Sequence, residues 1–105
     1  MHRVMPFPYR GERFPADLGA VVQNTVLSGE QSAREVIHTP EGDWCVGDGV
    51  NDPNMPGAST ATQIAHAVER NGSIASLANM PPGRIASRPD PGHEWHVQAL
   101  TGWGE

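Results

Sequence analysis

Four residues near the C-terminal end, His93-Glu94-Trp95-His96, bring two imidazoles and a carboxylate close together in sequence, the ingredients of a metal site. On an extended strand Glu94 and His96 share a face while His93 opposes them, so the run cannot chelate by itself. It also lacks the i, i+4 spacing that two histidines need on a zinc-protease helix. A metal centre would require His38 or His66 to join from elsewhere in the fold. These four histidines are the weak metal candidates of the sequence, and no metal or other cofactor is expected. Cys45 is the single thiol. A nucleophilic cysteine needs a cation or helix N-terminus to lower its pKa, whereas Asp43 and Asp48 flank this one and work in the opposite direction. Asp48, Asn51, Asp52 and Asn54 supply oxygens within one loop, but their spacing departs from that of a calcium-binding loop and matches ordinary turn chemistry. Gly47-Asp48-Gly49 is too short and too acidic to cradle a phosphate, and a G-x-S-x-G nucleophile turn is missing. The sequence therefore reads as a non-enzyme.

Charge is the more informative feature. The chain has a formal charge of -5, and all of its seven bases are arginine. That bias reads as the mark of a GC-rich genome. Six acids lie between Glu30 and Asp52 (Glu30, Glu35, Glu41, Asp43, Asp48 and Asp52) against Arg34 alone. Such a surface repels phosphates, which excludes nucleic acid as the expected partner, and it steers in a basic protein. Glu41, Asp43, Asp48 and Asp52 are the candidate binding residues, joined by Trp103, whose indole in a terminal tail suits an interface better than a core. The plainer alternative is a solvated acidic face that keeps the protein soluble.

The elements that must position these groups follow from pattern. Met1 to Asp17 is Pro-rich and aperiodic, an irregular arm whose Phe7, Tyr9 and Phe14 pin it to the body or to a second subunit. Ala20 to Leu27 is β-rich and bounded by Gly19 and Ser28-Gly29, and it predicts a strand. Arg34 to Thr39 predicts a second strand, with Val36 and His38 on one face and Glu35 and Ile37 on the other. After the turn Pro40 to Asp43 comes a third strand, Trp44 to Gly47, in which Cys45 points away from Trp44 and Val46. The spacing suggests a meander of three antiparallel strands. Asp48 to Ser59 reads as loop. Thr60 to Gln63 fits a capping box, opening a helix that Asn71-Gly72 closes through a left-handed residue. Ser73 to Ala78 is a shorter helix. Arg84 to Arg88 and Trp95 to Leu100 form a hairpin through Pro89 to Gly92, and Trp44 and Trp95 read as core.

The expected fold is thus α+β: an antiparallel sheet of about five strands, ordered β-β-β-α-α-β-β, packed on one main helix and a short second one. A chain of 105 residues favours one domain, and scaling gives roughly 65% of its unfolded surface buried. The expected division is an arm (1–17), a single α+β domain (18–100) and a flexible tail (101–105). One cysteine precludes an intrachain disulfide, no stretch approaches a membrane span, and the N-terminus lacks a secretory pattern. A soluble cytoplasmic protein, monomer or homodimer, is expected.

Several of these elements form a recognisable set: Val26-Leu27-Ser28-Gly29, His38, Gly42-Asp43-Trp44-Cys45-Val46, Leu77 to Gly83 with its Pro81-Pro82-Gly83 turn, Arg88 and Trp95. Together they resemble an uncharacterised family of small bacterial domains, some of whose members sit beside polymorphic toxins and are treated as immunity proteins. The resemblance spans roughly residues 18 to 98. Where many relatives carry aspartate-proline-serine this chain has Asn71-Gly72-Ser73, and Val50 to Ala58 resembles an individual insertion. The resemblance implies a binding role and transfers no catalytic residue. The expected function is a protein-binding module, immunity or antitoxin-like in its sharpest form. The alternatives are a metal-dependent or small-molecule-binding protein or enzyme built on converging histidines, and a self-associating protein that dimerises through the aromatic arm and Trp103.

Overall fold

A computed structural model of the chain describes residues 7–52 and 54–100. The protein is α+β. In chain order its elements are a short 3-10 turn in the arm (Arg10–Glu12), β1 (Gly19–Gln23), α1 (Asn24–Ser28), β2 (Glu35–His38), β3 (Trp44–Gly47), β4 (Ser59–Gln63), α2 (Ile64–Arg70), a 3-10 segment (Gly72–Leu77), β5 (Arg84–Ser87) and β6 (His96–Ala99). They build a six-stranded sheet in the order β4-β1-β3-β2-β5-β6.

The sheet is mixed, which corrects the expected antiparallel meander. β2 runs antiparallel to β3 and to β5, and β5 to β6, as the turns at Pro40–Asp43 and Pro89–Gly92 require. β1, however, lies parallel to β3 on the side away from β2. The cause is at Asn24, where the expected strand ends and turns into α1. That turn places Val22 and Val26 on one side, both without exposed surface. Full burial of a valine contributes about 1.5–3 kcal/mol, more than a continued strand would gain by leaving every second apolar residue in water. Gly29 closes α1 with φ 83°, a left-handed conformation that glycine adopts without a Cβ clash.

A second correction concerns Thr60 to Gln63. These residues form β4, registered against β1 from Gly19↔Gln63 to Gln23↔Ser59, and the helix begins only at Ile64. Thr60 and Thr62 are β-branched, and the ladder along β1 outweighs the capping-box spacing. The expected left-handed close at Asn71-Gly72 is also replaced: Asn71 has φ -138°, and the chain passes directly into the 3-10 segment.

α1, α2 and the 3-10 segment Gly72–Leu77 pack on one face. Ile64, Ala67, Ile74 and Leu77 meet Ala20, Val22, Val36, Trp44, Val46 and Ala86 in a single buried cluster. The arm joins it: Tyr9 is buried, Phe14 meets Trp44 edge-on at 4.9 Å, and the Trp44 indole N–H donates to the Tyr9 hydroxyl at 2.6 Å. Trp44 is core as expected. Trp95 instead precedes β6 and is half-buried, with the Arg88 guanidinium 4.0 Å above its ring.

Candidate functional site

One-sided packing of the helices leaves the other face of the sheet only partly covered. Strand alternation and register align Ala61 (β4), Val21 (β1), Cys45 (β3), Ile37 (β2) and Ile85 (β5) in one row across five strands. None of the five is buried, and Val21 is 45% exposed. No described element covers them. Ala61 and Val21 are exposed, and Cys45, Ile37 and Ile85 are half-buried. The next row carries Gln23, Gly47, Glu35 and Ser87. Burial pushes the Cys45 thiol pKa up, and the negative charge of nearby Asp43, which is exposed, adds to it. The strand positions of this face hold no arginine. It is apolar at its centre and acidic at its margins.

The loop from Asp48 to Ala58 overhangs one end of this face, and Asn54 reaches a cavity of about 270 Å³ lined also by Val21, Gln23, Glu35, Ile37 and Cys45. Residues at the β1–α1 junction grip both ends of the loop. At its start Asp48 is completely buried, and its backbone N–H donates to Gln23 Oε1 at 2.6 Å. The Asp48 carboxylate accepts from the backbone N–H groups of Val50 and Asn51, both at 2.8 Å, from the Thr25 hydroxyl at 2.6 Å and from Asn51 Nδ2 at 2.7 Å. Burial alone raises the pKa of this carboxyl, but the hydrogen bonds from Thr25, Asn51 and Val50 prevail and lower it to about 2. At the far end the Asn24 N–H donates to Ala58 O at 2.8 Å and its Nδ2 to Gly57 O at 2.7 Å. Between these anchors Val50 and Met55 are 65% and 60% exposed.

The acidic window is therefore divided. Glu41, Asp43 and Asp52 are exposed, while Asp48 lies inside and anchors the loop. Asp52 caps its own turn through the Asn54 N–H at 2.9 Å. Trp103 lies outside the described residues. The histidines are dispersed. His66 pairs with the Thr62 hydroxyl and His93 with Asp90, each at 2.8 Å and each exposed, and His96 lies on the edge strand. His38 is fully buried, stacked on Trp44 at 4.0 Å, with Phe7 edge-on at 5.2 Å. Its Nδ1–H donates to the Met80 carbonyl at 2.7 Å, leaving Nε2 without a partner among the described residues. Among those residues no three His, Cys, Asp or Glu side chains converge to hold a metal ion.

Arg88 is the other buried charge. Its Nε and Nη2 donate to Ala33 O at 3.0 and 2.9 Å, and its Nη1 to Ser73 Oγ at 2.7 Å. These bonds clamp the start of β2 to the 3-10 segment, with Trp95 as a lid over the guanidinium. Sequence reasoning missed Val21, Glu35, Ile37 and Ile85 as site residues. The signal was available in part, because alternation already set Glu35 and Ile37 opposite Val36 and His38. Among the described residues no helix is long and apolar enough to cross a membrane. No family model matches the chain, and neither a curated protein nor a solved structure matches it.

Proposed function

We propose that this protein is a protein-binding module that docks a partner on the uncovered face of its sheet, with an immunity or antitoxin-like role as the sharpest form of that reading. The observation that supports it is the row Ala61-Val21-Cys45-Ile37-Ile85, which no described element covers and which Glu35 and Asp43 border with negative charge. Apolar area supplies affinity when it leaves water, and the carboxylates favour a partner whose matching surface is apolar and basic. Glu41 and Asp52, exposed in neighbouring loops, extend the negative field.

The test is affinity capture from the cells that make the protein, wild type against Ile37→Arg. Ile37 is only half-buried on the bare face, so the arginine can extend into solvent and the fold is retained. The expected result is a discrete captured protein that Ile37→Arg loses while its thermal midpoint stays put. Neutralising Glu41, Asp43 and Asp52 together should weaken capture in a salt-sensitive way. Asp48 is left untouched, because changing it would unseat the loop. Undiminished capture by Ile37→Arg would falsify the assignment.

A further inference from the structure

The cavity on the uncovered face is specific enough to suggest what enters it. We infer that it is a receptacle for one arginine side chain presented by the partner, a deepening that rests on the docking face proposed above. At about 270 Å³ the cavity falls at the lower margin of small-molecule sites, which span ~300–1,000 Å³, and suits a single side chain. Val21, Ile37 and Cys45 give it apolar walls, which match the methylene stem of a long cationic residue.

Its polar end is built by two oxygens from β1 and β2, the strands on either side of Gly47 in β3. A Cβ placed on Gly47 would lie 2.9 Å from Gln23 Oε1 and 3.7 Å from Glu35 Oε1, so both oxygens converge over bare backbone that only glycine leaves open. Glu35 is half-buried there, and no described cation lies within ion-pair distance of it. The adjacent Arg34 is committed elsewhere, its Nε to Pro89 O and its Nη1 to Asp48 O, both at 3.2 Å. Asp43 adds negative charge beside Cys45. A half-buried carboxylate with no cation beside it among the described residues, at the end of an apolar slot, is complementary to a cation on an apolar stem. Arginine fits better than lysine, because the guanidinium fork can meet the Glu35 carboxylate and the free lone pair of Gln23 Oε1 together, and it sheds water more readily than an ammonium.

The probes are the N-acetyl, N-methylamide derivatives of arginine, lysine and norleucine, added to the full chain. The readouts are amide shifts of Val21 and Ile37 and the alkylation rate of Cys45 by neutral N-ethylmaleimide, which is unambiguous because the chain has one cysteine. The arginine probe is expected to shift both residues and slow alkylation, the lysine probe to do so more weakly, and norleucine least. Glu35→Gln, isosteric and uncharged, should weaken the arginine probe about tenfold, in line with loss of a charge-assisted hydrogen bond. Equal responses to arginine and norleucine, or an unchanged affinity in Glu35→Gln, overturn the receptacle. If either result accompanies loss of partner capture in Ile37→Arg, the receptacle fails while the docking face stands. Capture that survives Ile37→Arg removes both.

Discussion

Asp48 and His38 show how a single ionisable side chain takes its role from its surroundings. Asp48 belongs to a run of acids that reads as solvated surface, yet its carboxylate receives four hydrogen bonds and has no exposed area. In the unfolded chain its pKa returns to about 3.8, against about 2 in the folded protein. Between pH 4 and 2 the unfolded state therefore takes up a proton that the folded state refuses, and stability present above pH 4 is lost as pH falls. The difference corresponds to roughly 2 kcal/mol. His38 acts at higher pH. Burial lowers its pKa against the opposing effects of the Met80 carbonyl, Asp43 and the Gly42 backbone. Its stabilisation is complete above the ordinary imidazole range and declines as pH drops below about 6.5. Urea unfolding across pH 8 to 2.5 should thus show two falling limbs. His38→Phe is expected to erase the upper limb, and Asp48→Asn to shrink the lower one, to which Asp90 also contributes, while costing about 1–3 kcal/mol at neutral pH. A wild-type profile flat from pH 7 to 5, or an Asp48→Asn variant with an unaltered acid limb, would contradict these roles.

At the scale of elements, local pattern foretold the hairpins and misjudged the neighbourhoods. The β2–β3 and β5–β6 pairs were legible because each joins alternating strands through a Pro- and Gly-containing turn. The parallel pairing of β1 with β3 was not, since nothing within Ala20 to Leu27 announces that Asn24 must turn so that Val26 can follow Val22 inward. β4 was hidden for a related reason: Thr60-Ala61-Thr62-Gln63 satisfies a capping box and an edge strand equally, and only the partner strand decides. The face assignment of Glu35, Ile37 and Cys45 was readable from period-two alternation, but which face would stay bare depended on where both helices landed. The double anchoring of the loop 48–58 was also beyond local reading, because Asn24 and Gly57 are far apart in sequence. Asn24→Ala, which removes the Nδ2 bond to Gly57 and the Thr60 hydroxyl contact, should loosen the loop and the start of β4 specifically. Hydrogen exchange is expected to quicken at Ala58 and Thr60 with little change at Val36 or Val46. Uniform acceleration across the sheet would instead show that the anchor supports the whole fold.

For the molecule as a whole, the residues that hold the fold and those proposed to meet a partner occupy opposite layers. His38, Trp44, Val26, Ile74 and Leu77 belong to the covered side, with Arg88 and Trp95 clamping its edge, whereas Val21, Ile37, Cys45 and Ile85 take no part in the buried cluster. Such a division lets the bare face change in chemistry while the core stays fixed, the arrangement expected of a scaffold whose specificity is set by surface. The most direct measurement places a photoreactive benzoyl-phenylalanine at Val21 on the bare face and, in a second protein, at Ser76 on the helical side, and irradiates both in the producing cells. A discrete adduct with another protein from Val21, without one from Ser76, is the predicted result. An adduct from Ser76 alone, or from neither position, would contradict it.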